Sequence, residues 1–289
     1  MSTSPAPAKI RLRSLPPLAG LSWIRRGFRM FWRRPLGFVG LWLFFTLSLF
    51  MIAFAAVAVS PLAMLAVAAW LPLLTVGFMQ ATSDVLADQK LRPGVFRTPF
   101  STTPQAARGM LAIMLIYVAV VAVLAVCANA MDGGETQRWL HAAVAPPSDG
   151  KPPVIPPMSA ATASSIRFVM LGLTLVSIPL WYVPALVQWG GQGVAQAMFS
   201  SVVAIWRTKG AFATFLFGWF VVGLAFDAIV QVLAAAFGIE AVSLAALTGQ
   251  MMLSITYFLS LWFGFVDTFE ITSPEAFRTV PADTGAPLP

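Results

Sequence analysis

Apolar residues in this chain fall in long, nearly unbroken runs, not in the strict alternation of strands or the mixed rhythm of soluble helices. Six runs stand out: about Leu36 to Val59, Pro61 to Thr82, Gly109 to Ala130, Ile166 to Trp189, Ala211 to Phe237 and Ala241 to Val266. A hydrocarbon layer about 30 Å thick takes roughly 20 apolar residues of helix. Each run therefore predicts one membrane-spanning helix. Ser60-Pro61 separates the first two, because a residue before proline avoids the helical region. Gly238 separates the last two, at a position where a helix C-terminus favours glycine. The first run has 24 residues and follows 35 residues rich in arginine. Signal-peptide cores are about 7 to 15 residues long, so this run is expected to be a retained span.

The polar segments between the runs set the expected orientation. Residues 1 to 35 carry Lys9, Arg11, Arg13, Arg25, Arg26, Arg29, Arg33 and Arg34. The second-to-third connection carries Lys90, Arg92, Arg97 and Arg108, the fourth-to-fifth Arg207 and Lys209, and the tail Arg278. The opposite side has only Arg138, Lys151 and Arg167. The positive-inside rule predicts that the richer side is cytoplasmic, with both termini there.

The stretch WIRRGFRMFWRRPLGFVG, residues 23 to 40, predicts an amphipathic helix ahead of the first span. Arg25, Arg29 and Arg33 repeat at i, i+4 and i+8, with Arg26 and Arg34 flanking them. Ile24, Phe28 and Phe31 form a neighbouring apolar stripe. Such a helix is expected to lie in the headgroup layer. One reading is a stop-and-orient signal. The other is a site for anionic headgroups, in which each cation near the surface contributes about 1 kcal/mol. The expected architecture is thus an all-α membrane protein: six transmembrane helices in three antiparallel hairpins, preceded by an amphipathic interfacial helix. Its parts would be a basic cytoplasmic tail over 1–22, a membrane domain over 23–270 with a Pro-rich external loop at 131–164, and a cytoplasmic tail over 271–289.

Composition supports a membrane class. Of 289 residues, 58% are hydrophobic and 10% charged, and the mean hydropathy is +0.82. Soluble domains carry about 25% charged residues. A net charge of +7 beside apolar runs points to anionic lipid as partner, with no nucleic acid expected. The single cysteine, Cys127, sits in an Ala/Val/Leu run and reads as a small apolar residue.

The search for chemistry predicts no catalytic set, no metal ligands and no cofactor. Phosphate-loop, zinc-protease, CxxC and GxSxG patterns are absent, and His141 is the lone histidine. One acid, Asp227, falls inside a span, where an ionisable residue suggests function. Gln231 lies one turn further out, and Gln250 reaches a similar depth on the sixth run, with Ser254 following at i+4. These four are expected to form an intramembrane polar cluster, either as interhelical hydrogen bonds or as a proton or substrate site. Pro72, Pro179 and Pro184 interrupt runs two and four, as in cavity-lining helices and in ordinary membrane helices. Gln188, Gln192 and Gln196 predict that the fourth helix continues with a polar stripe. Ser83 with Asp84 is expected to cap a short surface helix, and Glu135 to Val144 to form another. Trp206-Arg207 repeats Trp32-Arg33 at an offset of 174 residues, which suggests duplication or convergent interface chemistry.

With WIRRGFRMFWRRP, the Ser60-Pro61 hairpin and GFMQATSDVLADQKLRPGVF at 77–96, the chain resembles a family of uncharacterised multi-pass inner-membrane proteins of Gram-negative proteobacteria. The resemblance implies an inner-membrane location and no catalytic residues. Two functions remain open: a non-enzymatic protein organising lipid or partner proteins, and a small-molecule or lipid transporter with a cavity near Asp227.

Overall fold

The computed structural model describes residues 9–59, 65–144 and 157–272. The Ser60-Pro61 break, the proline-rich run 145–156 and the tail beyond Thr272 lie outside them. Among the described residues the chain forms twelve α-helices: α1 (Ala19–Arg33), α2 (Pro35–Val59), α3 (Leu65–Ala68), α4 (Leu71–Leu86), α5 (Thr98–Ser101), α6 (Pro104–Asp132), α7 (Glu135–Val144), α8 (Ala160–Leu180), α9 (Val183–Gln188), α10 (Val194–Arg207), α11 (Lys209–Phe237) and α12 (Ile239–Thr268). A 3-10 segment spans Pro93–Arg97, and two short strands, β1 (Lys9–Leu12) and β2 (Phe269–Thr272), pair antiparallel.

Five helical segments are long and apolar enough to cross a membrane: Pro35–Ala55, Pro104–Asp132, Ala160–Gln188, Lys209–Phe237 and Ile239–Thr268. The second apolar run differs. It is split into α3 and α4 by a turn at Ala69-Trp70, because Pro72 has no N–H to donate and so starts a helix instead of continuing one. The fourth run breaks in the same manner. α8 ends just after Pro179, Trp181 and Tyr182 form the turn, and Pro184 opens α9. The starts of α6 and α8 are fixed by Thr103 and Ser159, whose hydroxyls accept from the amides of Ala106 and Thr162. Gly238, at φ 85°, makes the whole turn between α11 and α12.

Several local expectations are corrected. α9 stops at Gln188. Gln192 is buried in a glycine turn, and Gln196 is exposed on a separate helix, so the three glutamines do not share one stripe. Gly191, at φ 61°, permits that turn. Ser83 and Asp84 belong to the last turns of α4 and cap nothing. The basic segment before residue 23 is not all tail. It pairs as β1 with β2, register Ile10 with Ile271 and Leu12 with Phe269, and α1 begins at Ala19. The helix expected over Glu135 to Val144 is present.

The core lies at the end of the molecule that carries α1, α5 and α10, here called the basic end. α4, α9 and α12 meet at its centre: α4 packs on α12 and α9, and Trp189 of the following turn meets Trp262 edge to face and packs against Phe265. Each surface segment covers a helical pair. The 93–101 segment lies on α4 and α6, α10 on α8 and α9, and α1 on α11 and α12. Away from the basic end the bundle opens into pairs: α6 stays packed on α8, where Ser165 donates to the Ala128 carbonyl, and α11 stays beside α12. In α11 the buried positions are Ala211, Phe212 and Phe215, and α12 has none between Val242 and Ile255.

Candidate functional site

The arginine-rich helix α1 is where sequence reasoning expected a membrane-surface site. Its buried positions are Gly20, Trp23, Ile24, Gly27, Met30 and Phe31, an i, i+3, i+4, i+7 stripe. That stripe faces protein, not headgroups. Gly20 rests against the backbone of Ala211 and Phe215. At Gly27 a Cβ would stand 2.9 Å from the Thr256 carbonyl oxygen and from Ser260. Two glycines seven residues apart thus let α1 approach α11 and α12 to backbone contact. Trp23 packs on Phe215, and Phe28 stacks on Trp219. The expected interfacial apolar stripe is therefore largely a packing surface.

The arginines divide into three environments. Arg25, Arg29 and Arg33 lie exposed on the outer face of α1 together with Trp32, which is 64% exposed. Arg26 turns inward instead. It pairs with the carboxylate of Asp267 and sits over the Phe263 ring, 4.8 Å from its centroid. The indole N–H of Trp23 donates to the same carboxylate at 2.8 Å. Arg34 donates to the Gln89 carbonyl at 2.7 Å and lies 3.8 Å from Asp88. Sequence reasoning passed over Asp267. Its position near the end of the sixth run, among aromatic residues, was the available signal.

α10 has the character that sequence reasoning assigned to α1. Its buried face is Ala197, Ser201 and Ala204, and Phe199, Val202 and Trp206 form an exposed apolar stripe at i, i+3 and i+7. Lys209 sits over the Trp206 ring at 5.3 Å. Aromatic residues beside cations in this arrangement suit a headgroup boundary.

The polar residues within the spans are placed differently from the expected cluster. Asp227 and Gln231 are exposed on α11 and Gln250 on α12. Ser254 bonds the Gln250 carbonyl of its own helix at 2.9 Å. Among the described residues no hydrogen bond joins the two helices through these four. No group of three or more metal-ligating side chains occurs among the described residues.

The chain is 27% identical over 259 residues to a probable inner membrane protein of Burkholderia thailandensis, a match covering 89% of this chain and 93% of the relative. This chain is a multi-pass inner-membrane protein. The relative's name and the apolar helices agree on that, and the name gives no biochemical role. No family model matches the chain, and no solved structure does.

Proposed function

We propose that the protein is a non-enzymatic organiser of anionic lipid, or of partner proteins, at the inner membrane. It crosses the bilayer six times in three hairpins, with α3 and α4 as far as Thr82 together forming the second crossing and both termini in the cytoplasm. The observation that carries this reading is the outer row Arg25, Arg29 and Arg33. Its helix is fixed to α11 and α12 through the opposite face, so three cations are held in register where the spans begin. A preorganised row attracts anionic headgroups without the ordering cost of a flexible tail.

The test is reconstitution in vesicles containing a labelled phosphatidylglycerol. Wild-type protein should enrich the labelled lipid around itself, and the triple change of Arg25, Arg29 and Arg33 to alanine should remove most of that enrichment. Equal enrichment by both proteins would sink the reading. Reporter fusions within 135–144 and after residue 272 should report the outside and the cytoplasm respectively.

The second reading is transport, favoured by the breaks at Trp70 and at Trp181-Tyr182 in neighbouring helices. Substituting Asp227→Asn separates the two. Lost proton-coupled flux at normal abundance supports transport, and unchanged behaviour supports the organiser.

A further inference from the structure

Two grooves open side by side at the basic end and share one cation. The chain leaves α4 through Asp88, whose φ of 53° folds the following loop back toward the start of α2. Arg34 holds that loop through the Gln89 carbonyl. Gly37 leaves room for Leu91 beneath it, where a Cβ would meet the leucine methyl at 2.7 Å. The result is a groove of about 550 Å³ lined by Arg34, Pro35, Leu36, Gly37, Lys90 and Leu91. Its neighbour, about 460 Å³, includes Gln80, Asp84, Gln89, Lys90, Arg92 and Thr98 in its lining.

The two compartments differ in chemistry. The first is mostly apolar, and Leu36, 86% exposed, stands on the first turn of a membrane-spanning helix. The second is mixed, with Val95 and Gly94 beside its charged and amide side chains. Arg34, Lys90 and Arg92 face them, against Asp84 and Asp88. Asp84 accepts from the Gln80 amide at 2.7 Å, and Asp88 lies beside Arg34 on the outside, almost fully exposed. Positive charge therefore collects around Lys90, where the two grooves meet.

We propose that this double groove binds one anionic phospholipid of the cytoplasmic leaflet. The phosphate sits between Arg34 and Lys90, the headgroup lies toward Arg92 and the glutamine amides, and an acyl chain runs over Leu36 and Leu91. This rests on the organiser reading and deepens it: one lipid is held at a defined place, beyond those gathered along α1. A free phosphate would satisfy the cations but would leave the apolar compartment unused.

The test uses the full-length protein released from nanodiscs and read by native mass spectrometry. Discs contain phosphatidylglycerol or phosphatidylcholine, with inorganic phosphate added in a separate arm. One phosphatidylglycerol per chain should survive release, and phosphatidylcholine should not. The double variant K90A/R92A alters exposed loop side chains only and should retain that lipid about tenfold or more weakly, as loss of two cations near a phosphate implies. Leu36→Gln should weaken the lipid and leave any phosphate effect unchanged. Equal retention of phosphatidylcholine, full competition by inorganic phosphate, or an equal loss in R25A/R29A would each overturn the site. In that last variant the organiser reading is tested separately, because it predicts lost lipid enrichment whatever happens at Lys90.

Discussion

At the scale of single residues, three acids have different fates. Asp267 holds Arg26 and the Trp23 indole together at the junction of α1 and α12. Removing one partner of a half-buried, charge-assisted pair leaves the other poorly solvated. Asp267→Ala should therefore lower stability by about 1 to 3 kcal/mol, seen as a lower unfolding temperature in detergent. Asp227 is exposed and makes no hydrogen bond among the described residues. Asp227→Asn should leave that temperature unchanged, and a marked fall would show that the residue is packed after all. Asp84 gives a pH signature. Burial pushes its carboxyl above the ordinary carboxylate range, against the opposing hydrogen bond from Gln80. A raised folded pKa stabilises the fold at acid pH, and that contribution is lost as pH rises through the raised value. Asp84→Asn should accordingly raise the unfolding temperature at neutral pH, with the gain shrinking as pH falls. An acid's presence in a span or loop was readable from sequence, but its partner was not, because Arg26 and Asp267 are 241 residues apart.

At the scale of elements, helices were legible and their company was not. Proline positions located the interruptions at Pro72 and Pro184, since a missing N–H is a local property. The apolar stripe of α1 was visible too, but periodicity does not distinguish a face against lipid from a face against protein. Gly20 and Gly27 decide it, because only a close backbone neighbour needs a side chain to be absent there. Gly27→Val should detach α1 from α12 at a cost of about 1 to 3 kcal/mol and expose Trp23, measurable as a red shift of its fluorescence in a background where the other tryptophans are replaced. The repeat at an offset of 174 aligns the last residues of α1 and α10, Arg33 and Arg207, and the first of α2 and α11, Pro35 and Lys209. The β1–β2 pair gave no signal in the sequence. Each strand has four residues, and the partner lies at the far end of the chain.

At the scale of the whole molecule, packing is concentrated at one end. α4, α9 and α12 join there under α1, α10 and the 93–101 segment, and the far halves of the helices present apolar surface outward. Cys127, exposed on α6 in that far half, should react with a lipid-soluble maleimide and resist a charged, water-soluble one. Reaction with the charged reagent in intact membranes would place a water-filled space there. The sequence alone determined that this polypeptide is solvated by hydrocarbon, how many apolar runs it has, where they break and which segments carry the positive charge. Each of those follows from the transfer energy or backbone geometry of residues adjacent in the chain. Only the tertiary structure decided which arginine turns inward, that α1 packs on the last two helices, that the Asp227 group stays apart and that Arg34 and Lys90 flank one groove. These depend on contacts between residues tens to hundreds of positions apart, and in a chain this uniformly apolar many pairings satisfy the same local pattern.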